Sequence, residues 1–248
     1  MPVNKYHETT GMQTKANPTR ELYMEVDGEK YARYPIATPM ALIGDDLMMY
    51  VEHYAKPHAE EGDVLCISTK LVSVCNKLVV HIKDVRVTWL ANFIVKFVTK
   101  WPKDIGYANP PKMQVAINMV GYPRMILAIV VGFIMKKVFK KPGYFYKVAG
   151  HQINAIDGFI PHATPPFNDY AFLPPQNADE ICSDIEERFG IDTIMLDGNN
   201  IENNVMGMGD KAKERFEPKK FAQIVAGNPQ GQDNDGVITP MLLVRKMS

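Results

Sequence analysis

The sequence predicts an α+β fold, with helices packed on sheets. Three observations point there. Short apolar runs bounded by turn residues, at 64–69 and 191–196, read as strands. Segments with helical spacing alternate with them along the chain. Asp27-Gly28 stands between two alternating runs, a strong hairpin signal.

The elements follow in order. Residues 1–20 are polar and read as a loose leader. The hairpin covers 21–34, and a strand end at 36–38 breaks into a loop at Pro39. Gly44-Asp45-Asp46-Leu47 opens a helix to about His58, its acidic first turn matching the positive end of the helix dipole. Gly62-Asp63 is a turn, and the unbroken apolar run after it suits a strand buried on both faces. Residues 89–100 read as a helix with Leu90, Phe93, Ile94 and Phe97 on one stripe. After Pro142-Gly143, residues 144–148 read as a strand and 150–166 as a loop. After Pro174-Pro175 and Asn177-Ala178-Asp179, an acidic helix runs up to Phe189, where Gly190 serves as its C-cap. The strand at 191–196 ends at Asp197-Gly198. Residues 211–225 are mostly helical, 227–236 form a polar Gly-rich loop, and 239–245 is the last strand. There is no internal repeat. The expected organisation is a leader and hairpin over 1–33 and one domain over 34–248, carrying an apolar helical insert at 119–141.

Composition excludes some functions. With 28 Lys and Arg against 28 Asp and Glu, the chain lacks the basic excess of a general nucleic-acid binder. Cys66, Cys75 and Cys182 are odd in number and widely spaced, unlike a disulfide framework or a zinc knuckle, and Cys66 reads as a small buried hydrophobe. The N-terminus shows no apolar signal region, so a cytoplasmic location is expected. The apolar run 125–135 is shorter than the roughly 20 residues of a spanning helix. It reads as a buried or dimer-interface helix. The alternative is peripheral membrane contact, with Lys136, Lys137, Lys140 and Lys141 facing anionic lipid.

Chemistry could sit where carboxylates leave apolar segments. Asp197 closes one strand, and Asp157 follows Asn154-Ala155-Ile156. Carboxylates held there suit Mg²⁺ or Mn²⁺, which take oxygen ligands and phosphates; each alone is equally a turn or cap residue. The loop from Gln230 to Gly236 could cradle phosphate with backbone N–H groups, although no Gly-Lys-Ser/Thr follows. Thr69-Lys70 could present a cation to phosphate, or a solvated strand end. His151 and His162 match no zinc spacing. Hydrolase elbows, His-Glu-x-x-His and Cys-x-x-Cys are absent.

Taken in order, these pieces resemble the coenzyme F-420 gamma-glutamyl ligase family. The run from Thr38-Pro39-Met40-Ala41 to Gly44-Asp45-Asp46-Leu47 looks like its opening "TPLI…GDDL". The run from Gly62-Asp63 through Ser68-Thr69-Lys70 to Ser73 looks like "GDilvvSSKiVS". Asp157, Asp197 and the closing Gly231-Gln232 to Arg245 fall at further family motifs. The likeness runs from about Tyr34 to Arg245.

That resemblance implies a mixed-sheet fold and a GTP- and divalent-metal-dependent amide ligation. L-glutamate would be joined to a carboxylate of a small-molecule acceptor by a homodimer. Carried across position by position, the metal ligands are Asp157, Asp197 and Gln232. Nucleotide contacts are Thr38, Pro39, Met40, Ala41, Thr69, Lys70, Gln230, Gly231, Asp235 and Gly236. The chain departs from the family at Val74, Asn76, Ile160 and Gly198. A second reading is therefore a catalytically silent nucleotide- or metabolite-binding homologue.

Overall fold

A computed structural model describes residues 10–97, 109–141, 143–150, 153, 156–159, 166–198, 203–231 and 237–247. The chain divides into two compact units. The first comprises residues 1–78 and 175–248, the second 79–174.

The first unit is built on a seven-stranded mixed sheet. Its strands are β1 (Gly11–Met12), β2 (Tyr23–Val26), β3 (Glu29–Ala37), β4 (Val64–Ser68), β8 (Asp192–Gly198), β9 (Asn203–Met208) and β10 (Met241–Lys246). The spatial order is β1-β3-β10-β4-β8-β9, and β2 also pairs with β3. β10 runs antiparallel to both β3 and β4, whereas β4 and β8 are parallel.

Period-two burial explains the sheet. On β4, Leu65 and Ile67 face one core while Val64 and Cys66 face another. The first core is covered by α1 (Leu47–Tyr50), which continues through a π turn and a 3-10 turn to His58, and by α2 (Thr69–Cys75) and α7 (Ala178–Phe189). The second is covered by α8 (Asp210–Arg215) and α9 (Pro218–Ile224). With helices on both faces, the strands can be apolar throughout, as the 64–69 run predicts. On α7, Ala178, Ile181, Cys182 and Ile185 make the buried stripe, and Gly190 ends the helix at φ 73°.

The polar leader is not loose from residue 10 onward. Gly11 and Met12 pair with Ala37 and Ile36, and the Gln13 N–H donates to Pro35 at 2.7 Å. Backbone ladder bonds recruit a segment that has no apolar period to announce it. β9 is also unannounced, since its Asn- and Gly-containing run has little strand propensity; pairing with β8 holds it.

The second unit has a three-stranded sheet, β5 (Val79–His81), β7 (Tyr170–Phe172) and β6 (Asp157–Gly158), in the order β5-β7-β6. Its helices are α3 (Trp89–Ile94), α4 (Pro110–Val120), α5 (Tyr122–Lys137) and α6 (Tyr144–Ala149). Leu90 and Ile94 of α3 are buried as expected, but Phe93 is exposed. The strand expected at 144–148 is a helix. Its aromatic and β-branched residues favour a strand, but tertiary packing overrides that preference. Gly132 of α5 lets α6 approach so closely that a Cβ there would lie 2.9 Å from Phe145 Cβ. The apolar insert comprises the C-terminal end of α4 and all of α5, with a 109° bend between the helices at Gly121. Among the described residues, no single helix is long and apolar enough to cross a membrane, although the bent pair passes that test when taken together.

All three cysteines are buried and free. Burial pushes the Cys75 and Cys182 thiols up to about 12, and that of Cys66 well above its ordinary value. Thiolate at pH 8 is then roughly one part in ten thousand for the first two. A disulfide reagent such as DTNB is expected to label none of them within minutes in the native protein, and all three in denaturant. Fast labelling of the folded chain would contradict this packing.

Candidate active site

One end of the large sheet gathers most of the described candidate residues. β3, β10, β4 and β8 are consecutive neighbours. Met241 at the start of β10 pairs with Ile36 on one side and Ile67 on the other, and Ser68 pairs with Leu196. The ends of β3, β4 and β8 and the beginning of β10 therefore open at one edge. Thr38, Thr239, Thr69 and Asp197 emerge there in that order, with about 5 Å between adjacent strands.

Backbone bonds hold this edge. The Thr38 N–H donates to Ile238 at 2.8 Å, and the Ser68 N–H to Pro240 at 2.9 Å. Ser68 turns β4 into α2 by accepting from the Leu71 N–H at 3.2 Å, an ordinary side-chain cap. Thr69, the first residue of α2, is buried, and its hydroxyl donates to Asp197 Oδ1 at 3.1 Å. Two sequence-predicted site residues, 128 positions apart, thus meet across the parallel β4–β8 pair. Asp197 is half-buried and Lys70 exposed.

The segment leading into β10 is anchored inward. The Gln230 side-chain amide donates to the Cys66 and Pro240 carbonyls at 3.3 and 3.2 Å, and its backbone carbonyl accepts from the Thr239 hydroxyl at 3.0 Å. Gln230 thus reaches the edge as a brace, and the backbone of its neighbour Gly231 is engaged as well, its N–H donating to the Asn228 carbonyl at 2.8 Å. Gln232, Asp235 and Gly236 lie outside the described residues. Pro39, Met40 and Ala41 are half-buried beyond Thr38, whose hydroxyl donates to the Pro39 carbonyl at 2.9 Å.

Asn17 has no counterpart among the expected site residues. Its amide donates to the Pro229 carbonyl at 3.2 Å, the Gly231 carbonyl at 3.1 Å and the Thr239 hydroxyl at 2.9 Å. Arg20 donates to the Gly227 carbonyl at 3.4 Å. The N-terminal segment therefore fastens the base of the 230–236 loop. A lone polar residue in an aperiodic stretch gives no sequence signal for such a role.

Asp157 is on β6 of the second unit, half-buried, paired with Phe172 in the small sheet. His151, His162 and Ile160 lie outside the described residues. Among the described residues no group of three or more His, Cys, Asp or Glu side chains is arranged to hold a metal ion. The Thr69–Asp197 pair does supply hydroxyl and carboxylate oxygen. Magnesium is commonly held by one or two carboxylates together with substrate phosphates, so this donor chemistry fits a hard divalent ion.

A shallow cleft of about 330 Å³ opens at the opposite end of the sheet, lined by Glu29, Tyr31, Arg215, Lys220 and Lys246 among others. Its cations are engaged with carboxylates: Lys246 with Glu29, Lys220 with Asp27 at 3.2 Å, and Arg215 with Asp192. Hydrogen bonds from Lys246 and then Tyr31 hold the Glu29 carboxyl down at about 2. These ion pairs leave less cationic potential for phosphate than the concavity suggests, so the Thr69–Asp197 edge is the better site.

A sequence model of the family described as F420-0:Gamma-glutamyl ligase matches residues 35–195. The match includes Thr38–Ala41, Thr69, Lys70 and Asp157, and it ends two residues before Asp197. No curated protein matches the chain.

Proposed function

Because the chain belongs to the F420-0:gamma-glutamyl ligase family, we propose that it is a GTP-driven amide ligase joining L-glutamate, or a similar amino acid, to a cofactor-like acceptor. The observation that carries this reading is the Thr69–Asp197 contact at the sheet edge, because it joins a residue inside the family match to a carboxylate beyond it.

The reaction has two displacements. An acceptor carboxylate oxygen attacks the γ-phosphorus of GTP, and GDP leaves. The amine of L-glutamate then attacks the acyl carbon, phosphate departs, and the amine gives up a proton. A bound Mg²⁺ or Mn²⁺ would screen the phosphate charges. Asp197 is the carboxylate assigned to it; Asp157 and Gln232 are the further oxygen ligands that the resemblance implies. Thr69 orients Asp197 by donating its hydroxyl proton. Lys70 and the segment around Thr38–Ala41 take the phosphates, with the Gly-rich stretch at 230–236 as the further contact that the resemblance implies. A homodimer is the assembly proposed. Val74 favours the silent-homologue reading: it stands where the resemblance calls for lysine, and it is buried.

Calorimetry with Mn²⁺ and GTP on the wild type, Asp157→Asn and Asp197→Asn tests the assignment. Each substitution is expected to weaken binding at least about tenfold, the loss of one charge-assisted ligand. Equal binding in all three proteins would remove both carboxylates from the site. Intact GTP binding with no GDP release in the presence of glutamate and the deazaflavin acceptor would favour the silent homologue.

A further inference from the structure

Charge in this chain is divided between the units. Residues 79–174 carry twelve Lys and Arg against four Asp and Glu, a net of +8, and the remainder of the chain carries −8. Within the second unit, residues 105–156 contain seven Lys and Arg and no Asp or Glu.

The same stretch exposes an unusual apolar surface. One side of α5 is buried: Met125 and Ala128 sit in the core, and Gly132 faces α6. The opposite side carries Ile126, Leu127, Val130, Phe133 and Ile134 at i, i+4 and i, i+7 spacing, all exposed; Phe133 is 64% exposed and Leu127 55%. A helix that is apolar on every side belongs in a core or in lipid, yet half of this helix faces outward. Where α5 ends, the Val138 N–H donates to Ile134 and the Lys141 N–H to Met135 at 2.9 Å. That turn places Lys136, Lys137, Lys140 and Lys141 beside the apolar face, and Val138 and Phe139 within it are also exposed.

We propose that the outer face of α5 and this lysine turn dock the protein on an anionic lipid bilayer. Charge decides the occupant. A second copy would bring its own +8 unit against this one, with no carboxylate in 105–156 to offset the repulsion, whereas acidic headgroups supply the missing sign. Length decides the depth. The 16 residues of α5 span about 24 Å, less than the hydrocarbon core of roughly 30 Å, so the helix lies along the interface.

Vesicle co-sedimentation of the full chain tests this. Binding is expected to phosphatidylcholine vesicles containing phosphatidylserine, at least about tenfold tighter than to phosphatidylcholine alone, and to weaken as salt rises. Phe133→Asp should abolish it, and Lys140→Glu with Lys141→Glu should weaken it about tenfold or more. All three positions are exposed, so circular dichroism should stay that of the wild type. No sedimentation with either vesicle, equal binding to both, or wild-type binding by Phe133→Asp overturns the proposal. A wild-type dimer split by Phe133→Asp, with no vesicle binding, overturns it in favour of a second copy.

Discussion

Glu186→Ala is expected to destabilise the first unit by about 4–6 kcal/mol, read as a fall in the urea midpoint with little change in slope. Glu186 is a buried carboxylate on α7. Its Oε1 accepts from the Thr193 N–H at 3.0 Å and the Ala212 N–H at 3.0 Å, and its Oε2 from the Lys211 N–H at 2.9 Å. One side chain thus ties α7 to β8 and caps α8. Removing it orphans three backbone donors, each costing about 1–3 kcal/mol when buried. Water entering the hole recovers part of this, hence a total below the sum. Glu186→Gln should cost less, about 1–3 kcal/mol, because only the Lys211 N–H then faces a donor. The carboxylate is packed as tightly as it is bonded: a Cβ on Gly209 would lie 2.1 Å from Glu186 Cδ. If the alanine variant unfolds within 1 kcal/mol of the wild type, these contacts do not hold the helices.

Nothing in the sequence singles out Glu186, one of several acids on an amphipathic helix. The helix itself is legible because its stripe and its Gly190 cap are local signals. The strands β4, β8 and β10 are legible for the same reason, as apolar runs too short for helices. What is decided by distant partners is not legible. The 144–149 segment packs as a helix against α5, where Gly132, twelve residues earlier, leaves room for Phe145. The leader is held by a ladder to β3, remote in sequence, and β9 by pairing with the adjacent β8, which its own Asn- and Gly-containing run does not announce. The candidate site divides along the same line. Thr69 and Asp197 stand at the ends of readable parallel strands, so their meeting follows from the topology once β4 and β8 are neighbours. The Gln230 amide is used to brace the Cys66 and Pro240 carbonyls, a choice made by its inward-facing geometry and not by its residue type.

Asp63→Ala is expected to cost about 3 kcal/mol without weakening nucleotide binding to the folded protein. Asp63 and Arg245 both lie in motifs that carry the family resemblance, yet the structure joins them to each other. Arg245 Nε donates to Asp63 Oδ1 at 2.8 Å and its Nη2 to Oδ2 at 2.7 Å, a two-pronged pair. The Asp63 side chain is almost fully buried and also accepts from the Glu60 N–H at 2.9 Å. Hydrogen bonding to Asp63, foremost, raises the Arg245 guanidinium further above its ordinary range. Loss of Asp63 leaves a partly buried cation and an orphaned N–H, a penalty of about 3–5 kcal/mol in a dry site. Arg245 is one-fifth exposed and also pairs with Glu60, which brings the figure toward the lower end. Arg245→Met should cost a similar amount by stranding Asp63. The double variant should recover about 2 kcal/mol of the summed loss, the coupling of the pair. The pair joins the start of β4 to β10 at the end of the sheet opposite Thr69 and Asp197. GTP and Mn²⁺ affinities, measured well below the melting temperature, should therefore match the wild type. A tenfold loss of nucleotide affinity in a folded Asp63→Ala protein would move this pair from scaffold to site, and with it the assignment of the binding edge.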